Sequence, residues 1–352
     1  MSTPRVEINL GKIAHNGSAL RELYDARGIQ ICAVTKAVCG DARIAEVLVK
    51  CGIRTLADSR MANIRRMRDA GIEAQFLLLR TPFISQAEAV VMFADVSLNS
   101  DLSVIEKLSE FALKQHVRHQ IILMVELGDL REGLMPLDLL GTVERVIELE
   151  GVRLVGIGAN LACFGGIEPD QGKMGELSSL AQDIEDGFGL VLTYVSGGNS
   201  GNYSWFMSTP DVGKINHLRL GESIYLGCEP LHRQPIPGLF TDAFKLVAEV
   251  IESKIKPSLP YGQVSQNSSG HVPSFHDLGE IRRVILGIGL QDVLVSGLTP
   301  RAKVDILGAS SDHIIMNTHQ REYVAGDEVA FDLNYGALIS AMASPYVEKL
   351  VM

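Results

Sequence analysis

Lys36 closes a short apolar run, Ile31-Cys32-Ala33-Val34-Thr35-Lys36, and the chain then turns at Gly40-Asp41 into the helix-like stretch 42–49. A lysine placed where a buried strand gives way to a loop is poorly hydrated, and burial disfavours its ammonium form. The neutral amine is a nucleophile that can form a Schiff base with an aldehyde. The bland alternative is a strand-end lysine that snorkels to solvent or pairs with an acid. A second chemical element is Ser196-Gly197-Gly198-Asn199-Ser200-Gly201-Asn202, read as lying between a strand and a helix. Glycines let the backbone approach an anion, and a helix N-terminus offers free N–H groups, so the segment suits a phosphate. Its alternative is a plain strand-to-helix turn with a Ser or Asn cap.

These groups need a scaffold, and a strand-helix alternation supplies one. Apolar strand-like runs occur at 6–10, 31–35, 54–58, 76–79, 96–98, 121–125, 154–158 and 190–195, each followed by a helical pattern. Apolar strands separated by amphipathic helices are the mark of parallel units with both sheet faces covered. About eight such units in roughly 220 residues predict an α/β fold with an N-terminal (β/α)8 TIM-like barrel. Ligands bind such barrels at the C-terminal strand ends. Those ends read Lys36, Asp58, Arg80, Asn99, Arg131, Asn160, Ser196 to Ser200 and Arg219, a gathering of polar residues at the site side. After Pro235-Ile236-Pro237-Gly238 the pattern becomes short β-like runs at 243–254, 282–289, 302–307, 313–316 and 328–333. The expected division is therefore a barrel over 1–235 and a C-terminal mostly-β domain over 236–352, with the strand at 4–10 able to pair with the latter. Residues 256–280 are rich in Pro, Ser, Gly and Asn and read as a long loop.

Composition narrows the function classes. The chain has 352 residues, 46% hydrophobic and 21% charged, which suits a globular enzyme with a large core. A net charge of −10 lacks the basic face that nucleic acid requires. No apolar run reaches the roughly 18 residues of a membrane helix. The N-terminus shows no signal-peptide pattern, and five scattered cysteines form neither a disulfide framework nor a zinc spacing. A cytoplasmic protein with no nucleic-acid or membrane partner is expected.

Taken together, Val6-Glu7-Ile8-Asn9-Leu10, His15-Asn16 and Ala33-Val34-Thr35-Lys36-Ala37 resemble the alanine racemase family. So do Leu218–Gly227, similar to the family's "R-P-G-I-x-x-Y-G", Gly308–His313, similar to a segment ending in Met-Asp, and Gly326-Asp327-Glu328-Val329. The runs "VTKAVCGD", "LMVELGDLREG", "NLACFGG", "GASSDH" and "NYGALISAMASPYV" are most similar to its ornithine racemase-like branch. The resemblance spans nearly the whole chain. It implies a pyridoxal 5'-phosphate (PLP) enzyme, an isomerase that interconverts L- and D-amino acids. It also implies a homodimer whose active sites are shared between subunits.

Residue by residue, the resemblance implies that Lys36 holds PLP and moves the Cα proton on one face. Ser200, with Ser196, Gly198 and Asn199, would hold the phosphate. Gly221 and Glu222 would add backbone N–H groups there, and Tyr335 a hydroxyl. Asn160 stands where the family packs a histidine on the ring. Arg131 would serve the cofactor phenolate and the substrate carboxylate, and Ser311 and Asp312 would line the partner's substrate site. Arg219 would face the pyridine nitrogen. An arginine keeps its proton at neutral pH, so that nitrogen stays unprotonated and the electron sink is weak, which suits racemisation. Fold-related decarboxylases carry a glutamate there, and this chain has none. The alternative for Arg219 is a structural salt bridge.

One position departs from the family. Racemisation needs acid-base groups on both faces of Cα. The family's tyrosine position is Leu290 here, in Gly287-Ile288-Gly289-Leu290-Gln291-Asp292-Val293, and leucine cannot titrate. Asp312, His313, Cys39, His271 and His276 are the candidates for the missing base, with Asp312 carried as catalytic. Leu290 also sustains an alternative, a PLP-binding carrier or regulator without racemase turnover. A decarboxylase or aldolase on the same fold is a further alternative, which Arg219 opposes. Asp129 and Glu132 flank Arg131 and could pair with the side-chain ammonium of ornithine or lysine. His116 and His119 sit in a charged stretch and read as solvated. No metal is expected.

Overall fold

The computed structural model describes residues 3–266, 270, 272, 274–319 and 321–352. His271, one of the candidate bases, lies outside the described residues. The chain divides into two compact units, Gly11–Thr241 and Met1–Leu10 with Asp242–Met352. The boundary read from the sequence at 235/236 falls six residues short of the division at 241/242.

After β1 (Arg5–Ile8) and α1 (Leu10–Asp25), the larger unit lays down eight parallel strands. They are β2 (Gln30–Val34), β3 (Thr55–Asp58), β4 (Gln75–Leu78), β5 (Val96–Asn99), β6 (His119–Val125), β7 (Val152–Ala159), β8 (Tyr194–Asn199) and β9 (His217–Leu220). Each pairs with the next, and β9 returns to β2 with Cys32 opposite Arg219, so the barrel is closed. The (β/α)8 architecture expected from the alternation is the one present, but the run at 6–10 is β1 and lies outside the barrel, and β9, which was not among the eight apolar runs, closes it. Side chains alternate along each strand, and one set fills the interior: Cys32, Val34, Ala57, Leu77, Leu98, Ile122, Met124 and Val155. Burying each large aliphatic side chain of this kind contributes about 1.5–3 kcal/mol.

Helices follow the strands: α2 (Ala42–Lys50), α3 (Met61–Asp69), α4 (Ala87–Phe93), α5 (Leu102–Lys114), α6 (Pro136–Ile147), α7 (Gln171–Phe188), α8 (Tyr203–Ser208) and α9 (Glu222–Leu226). Short polar caps start several of them. Asp41 accepts from Arg43 N, Asp101 from Ser103 N and Asp170 from Lys173 N.

The eighth strand differs from the sequence reading. The apolar triplet Leu190-Val191-Leu192 is not a strand, and Val191 is 86% exposed. The strand begins at Tyr194 and runs through the glycines to Asn199. The ladder shifts register between Ser196 and Asn199, Gly198 has φ of 143°, and the barrel leaves no room for side chains at either glycine. A Cβ on Gly197 would meet Ile215 at 2.7 Å, and one on Gly198 would meet Asn202 Oδ1 at 2.2 Å.

The smaller unit is mostly antiparallel. Its long strand β10 (Phe244–Pro257) pairs with β1, with β11 (Glu280–Leu286) and with β15 (Glu328–Leu333). The remaining strands are β12 (Leu298–Pro300), β13 (Asp305–Ala309), β14 (Ile314–Asn317) and β16 (Glu348–Val351), and β16 lies parallel to β1. The N-terminal strand thus joins the C-terminal sheet. An ion cluster joins it: buried Arg5 bridges buried Glu7 and exposed Glu328, and Lys245 pairs with Glu7 at 2.5 Å. One helix, α10 (Tyr335–Ala343), was not legible, because its uniformly apolar sequence shows no period.

Candidate active site

The turn that carries Lys36 is fixed from below. Thr35 donates its N–H to Ala57 O at 2.7 Å and its hydroxyl to Asp58 Oδ2 at 2.8 Å. Asp58 Oδ1 accepts from Arg60 N at 2.9 Å and Asn63 Nδ2 at 3.0 Å, so the end of β3 is locked to the end of β2. Gly40 follows with φ of 61°, and a Cβ there would meet Asn63 Cβ at 2.8 Å, so glycine is what lets this turn press on α3.

Lys36 opens the one-turn helix after β2. Burial holds its ammonium below the ordinary lysine range; Arg131 and Arg219 add to this, while Cys163 and Asp58 oppose it. Its side chain makes no hydrogen bond or ion pair among the described residues. A desolvated lysine without an acid partner is a reactive amine rather than a structural ion pair.

Arg219 projects into the barrel from β9 and is 4% exposed. Its guanidinium donates to Ser196 Oγ and, at 2.7 Å, to Ala159 O. No carboxylate pairs with it among the described residues, which sets aside the salt-bridge alternative. Burial pulls it down to about 10, and it remains a cation at neutral pH. Such a cation suits an electron-rich ligand atom.

Ser200 Oγ accepts from Gly221 N at 3.3 Å and Ser223 N at 3.2 Å and lies 3.0 Å from Ser223 Oγ. Two amides from the end of β9 therefore converge on the Ser200 hydroxyl at the end of β8. The amide that joins Gly221 there is that of Ser223, while the Glu222 carboxylate pairs with Arg233. Ser196 is not in this group, since its hydroxyl serves Arg219. Asn199 donates to Leu161 O at 2.8 Å and Asn160 Oδ1 at 3.2 Å, tying β8 to the loop after β7. Asn160 Nδ2 is buried and unpartnered among the described residues, a donor left for a ligand.

Two acids organise the rim: Glu126, which the sequence reading did not single out, and Asp129, which it read as a possible partner of a substrate ammonium. Glu126 accepts N–H groups from Gly128, Leu130 at 2.9 Å and Arg131 at 3.2 Å. Asp129, 1% exposed, accepts from Cys163 at 3.3 Å and from Phe164 and Gly165 at 3.0 Å. Asp129 is thus spent on backbone and Glu132 on Arg131, so neither acid stands free for a substrate ammonium. The sequence signal was available: acids in a tight Gly-containing loop after a strand are natural acceptors of backbone N–H.

In the smaller unit Leu290 N donates to Ser310 O and Gln291 N to Ser311 O, both at 2.9 Å. Leu290 is 46% exposed and lies beside Ser311 and Asp312, whose side chains bond to each other. Tyr335 opens α10 in the same unit. Among the described residues no group of three or more His, Cys, Asp or Glu is arranged to hold a metal ion, and no helix is long and apolar enough to cross a membrane.

Residues 8–229 match the family model for the alanine racemase N-terminal domain, which covers most of the barrel. The chain belongs to the alanine racemase family. Among similar members of this family are an ornithine racemase of Acetoanaerobium sticklandii, 36% identical with 98% of this chain and 99% of that protein covered. Another is a lysine racemase of Thermotoga maritima, 39% identical with 99% of each covered. Solved alanine racemases share the fold. One from Clostridium difficile 630 superposes with a TM-score of 0.76 at 20% identity, covering 100% of this chain and 96% of that one. One from Bartonella henselae, described with covalently bound pyridoxal phosphate, gives 0.76 at 18% identity with both chains fully covered.

Proposed function

We propose that this alanine racemase-family chain is a PLP-dependent racemase of non-alanine amino acids, with ornithine and lysine as the first candidates. The observation that carries the reading is the pairing of a desolvated, unpartnered Lys36 with a buried Arg219 that lacks an acid. Family membership and two full-length relatives, an ornithine racemase and a lysine racemase, support it. The residues fit PLP: a reactive amine, a cation without a counter-ion, converging donors at Ser200 and the orphan donor of Asn160.

When bound, PLP supplies the electron sink that makes a Cα proton acidic. Lys36 would hold it and, as a neutral amine, take or return the proton at Cα on one face. Ser200, Asn199, Gly198 and Gly221 are the proposed phosphate residues. Arg219, a donor only, would leave the ring nitrogen unprotonated. Ser196 would hold Arg219 rather than the phosphate. Arg131 is the proposed partner of the substrate carboxylate. In a homodimer, Ser311 and Asp312 would complete the partner's site, with Asp312 the candidate for the second face.

Leu290 favours a second reading, a PLP protein without turnover. Incubating the PLP-loaded protein with L- and D-amino acids in deuterated solvent separates them. Racemisation predicts Cα deuterium from either enantiomer with inversion, fastest with the true substrate. Incorporation from one enantiomer with retention supports the second reading.

A further inference from the structure

His217 is a buried histidine inside the barrel that none of these roles uses. It opens β9 two residues before Arg219, so both side chains project into the barrel. It is 3% exposed, and its Nδ1 lies 2.8 Å from Ser196 Oγ. Its ring meets Tyr194 edge-on with centroids 5.1 Å apart, and Tyr194 in turn donates to Gln75 Oε1 at 3.0 Å. Its Nε2 is buried with no partner among the described residues.

Hydrogen-bond chemistry sets one end of this chain. Arginine is a donor only, so Ser196 Oγ must accept from Arg219. The hydroxyl proton is then free for one other partner, and His217 Nδ1 is the acceptor in reach. The hydroxyl oxygen has two acceptor sites, so the tautomer of His217 decides the direction of this bond: with the proton on Nε2, Nδ1 accepts the Ser196 proton. Every neighbour agrees with neutrality: burial and Arg219 push His217 down to about 3, and the Cys32 thiol beside Arg219 is pushed up by burial and stays uncharged.

We propose that His217 is a positioning residue for Arg219: by accepting the Ser196 proton it keeps a lone pair of that hydroxyl turned to the guanidinium, which is thereby fixed as a donor toward the site. The relay itself is independent of any ligand. Its consequence for catalysis rests on the reading above, that Arg219 serves the ring nitrogen of PLP.

The test has two parts. In full-length protein labelled with ¹⁵N-histidine, with and without PLP, the ring signal missing from His217→Asn should show the Nε2–H tautomer. It should not titrate between about pH 5.5 and 8, where an ordinary histidine does. An Nδ1–H tautomer, or a ring that titrates in that range, overturns the proposal. The second part uses the PLP-loaded protein. His217→Phe keeps the ring contact with Tyr194 but removes the acceptor, and Asn retains an acceptor. Phe and Ser196→Ala should displace the pH profile of the cofactor's absorption alike and lower kcat about tenfold or more with little change in KM, as loss of an outer-shell partner typically does. Their double variant should add nothing, and His217→Asn should restore the profile. A His217→Phe protein that folds and keeps the wild-type profile overturns a positioning role. If instead Arg219→Gln leaves the absorption unchanged, the placement of Arg219 at the ring fails, and the nitrogen spectra still decide the relay.

Discussion

The Asp129 carboxylate accepts the Phe164 N–H at 3.0 Å, and that bond joins the loop after β6 to the loop after β7. Two further amides of the same loop, Cys163 and Gly165, point at the same carboxylate. One buried acid therefore ties Cys163, Phe164 and Gly165 to the loop that carries Arg131.

Replacing Asp129 with alanine orphans the Cys163 and Phe164 amides, while Gly165 N keeps the main-chain carbonyl of residue 129 at 3.1 Å. Each buried unpaired N–H costs about 1–3 kcal/mol, less where water can enter. The expected result is faster hydrogen exchange at residues 162–166 and a raised KM with the barrel still folded. Exchange mass spectrometry reads this directly; unchanged protection at 162–166 would remove Asp129 from its positioning role.

Arg219→Glu places an acid where the family keeps a cation. The protein should still take up PLP, because Lys36 and the Ser200 donors are untouched. Racemisation should fall by about 100-fold, the order lost when one preorganised electrostatic group is removed. Comparison of kcat for the two proteins checks this, and an equal kcat would separate Arg219 from the chemistry.

Asp58 supports Lys36 without needing its charge. Burial raises its carboxyl above the ordinary range despite its hydrogen bonds. The folded state thus holds this proton more tightly than the unfolded chain, and the group costs stability as pH rises above the ordinary Asp range. Asp58→Asn keeps the acceptor for Arg60 and Asn63, and Thr35 can turn its proton to Ala57 O, already 3.2 Å away. The melting temperature at pH 7 should be equal or higher. A clear drop would show that the carboxylate form is required.

His119 has the opposite linkage. Burial pushes it down to about 4, and its Nε2 meets Ser97 Oγ at 2.8 Å. The unfolded chain binds this proton below about pH 6.5 and the folded chain does not, so stability falls as pH drops from there toward 4. At pH 5 the cost is about 2 kcal/mol. His119→Gln should remove that part of the acid dependence, visible as a smaller gap between urea midpoints at pH 5 and 7.

The barrel was legible because its strands are apolar runs with period-matched helices between them, and because Lys36 and Arg219 sit at strand ends where ligands bind. The eighth strand was misplaced because Leu190-Val191-Leu192 is hydrophobic yet exposed, while the true strand contains Gly197 and Gly198, which no propensity favours. Ser196 was assigned to a phosphate because its neighbours are glycines, but strand alternation turns it inward to Arg219. His119 read as solvated from its charged neighbours, whereas it opens β6 and is 3% exposed. Asp58, Glu126 and Asp129 act on backbone amides, and such partners are set by the fold rather than by spacing.

The most direct measurement is Cα deuterium exchange from L- and D-ornithine and L- and D-lysine by the PLP-loaded protein, alongside Lys36→Ala. The account predicts exchange with inversion from both enantiomers of at least one of these amino acids, and none from Lys36→Ala. A wild-type protein that binds PLP but exchanges no Cα proton from any of the four would contradict it.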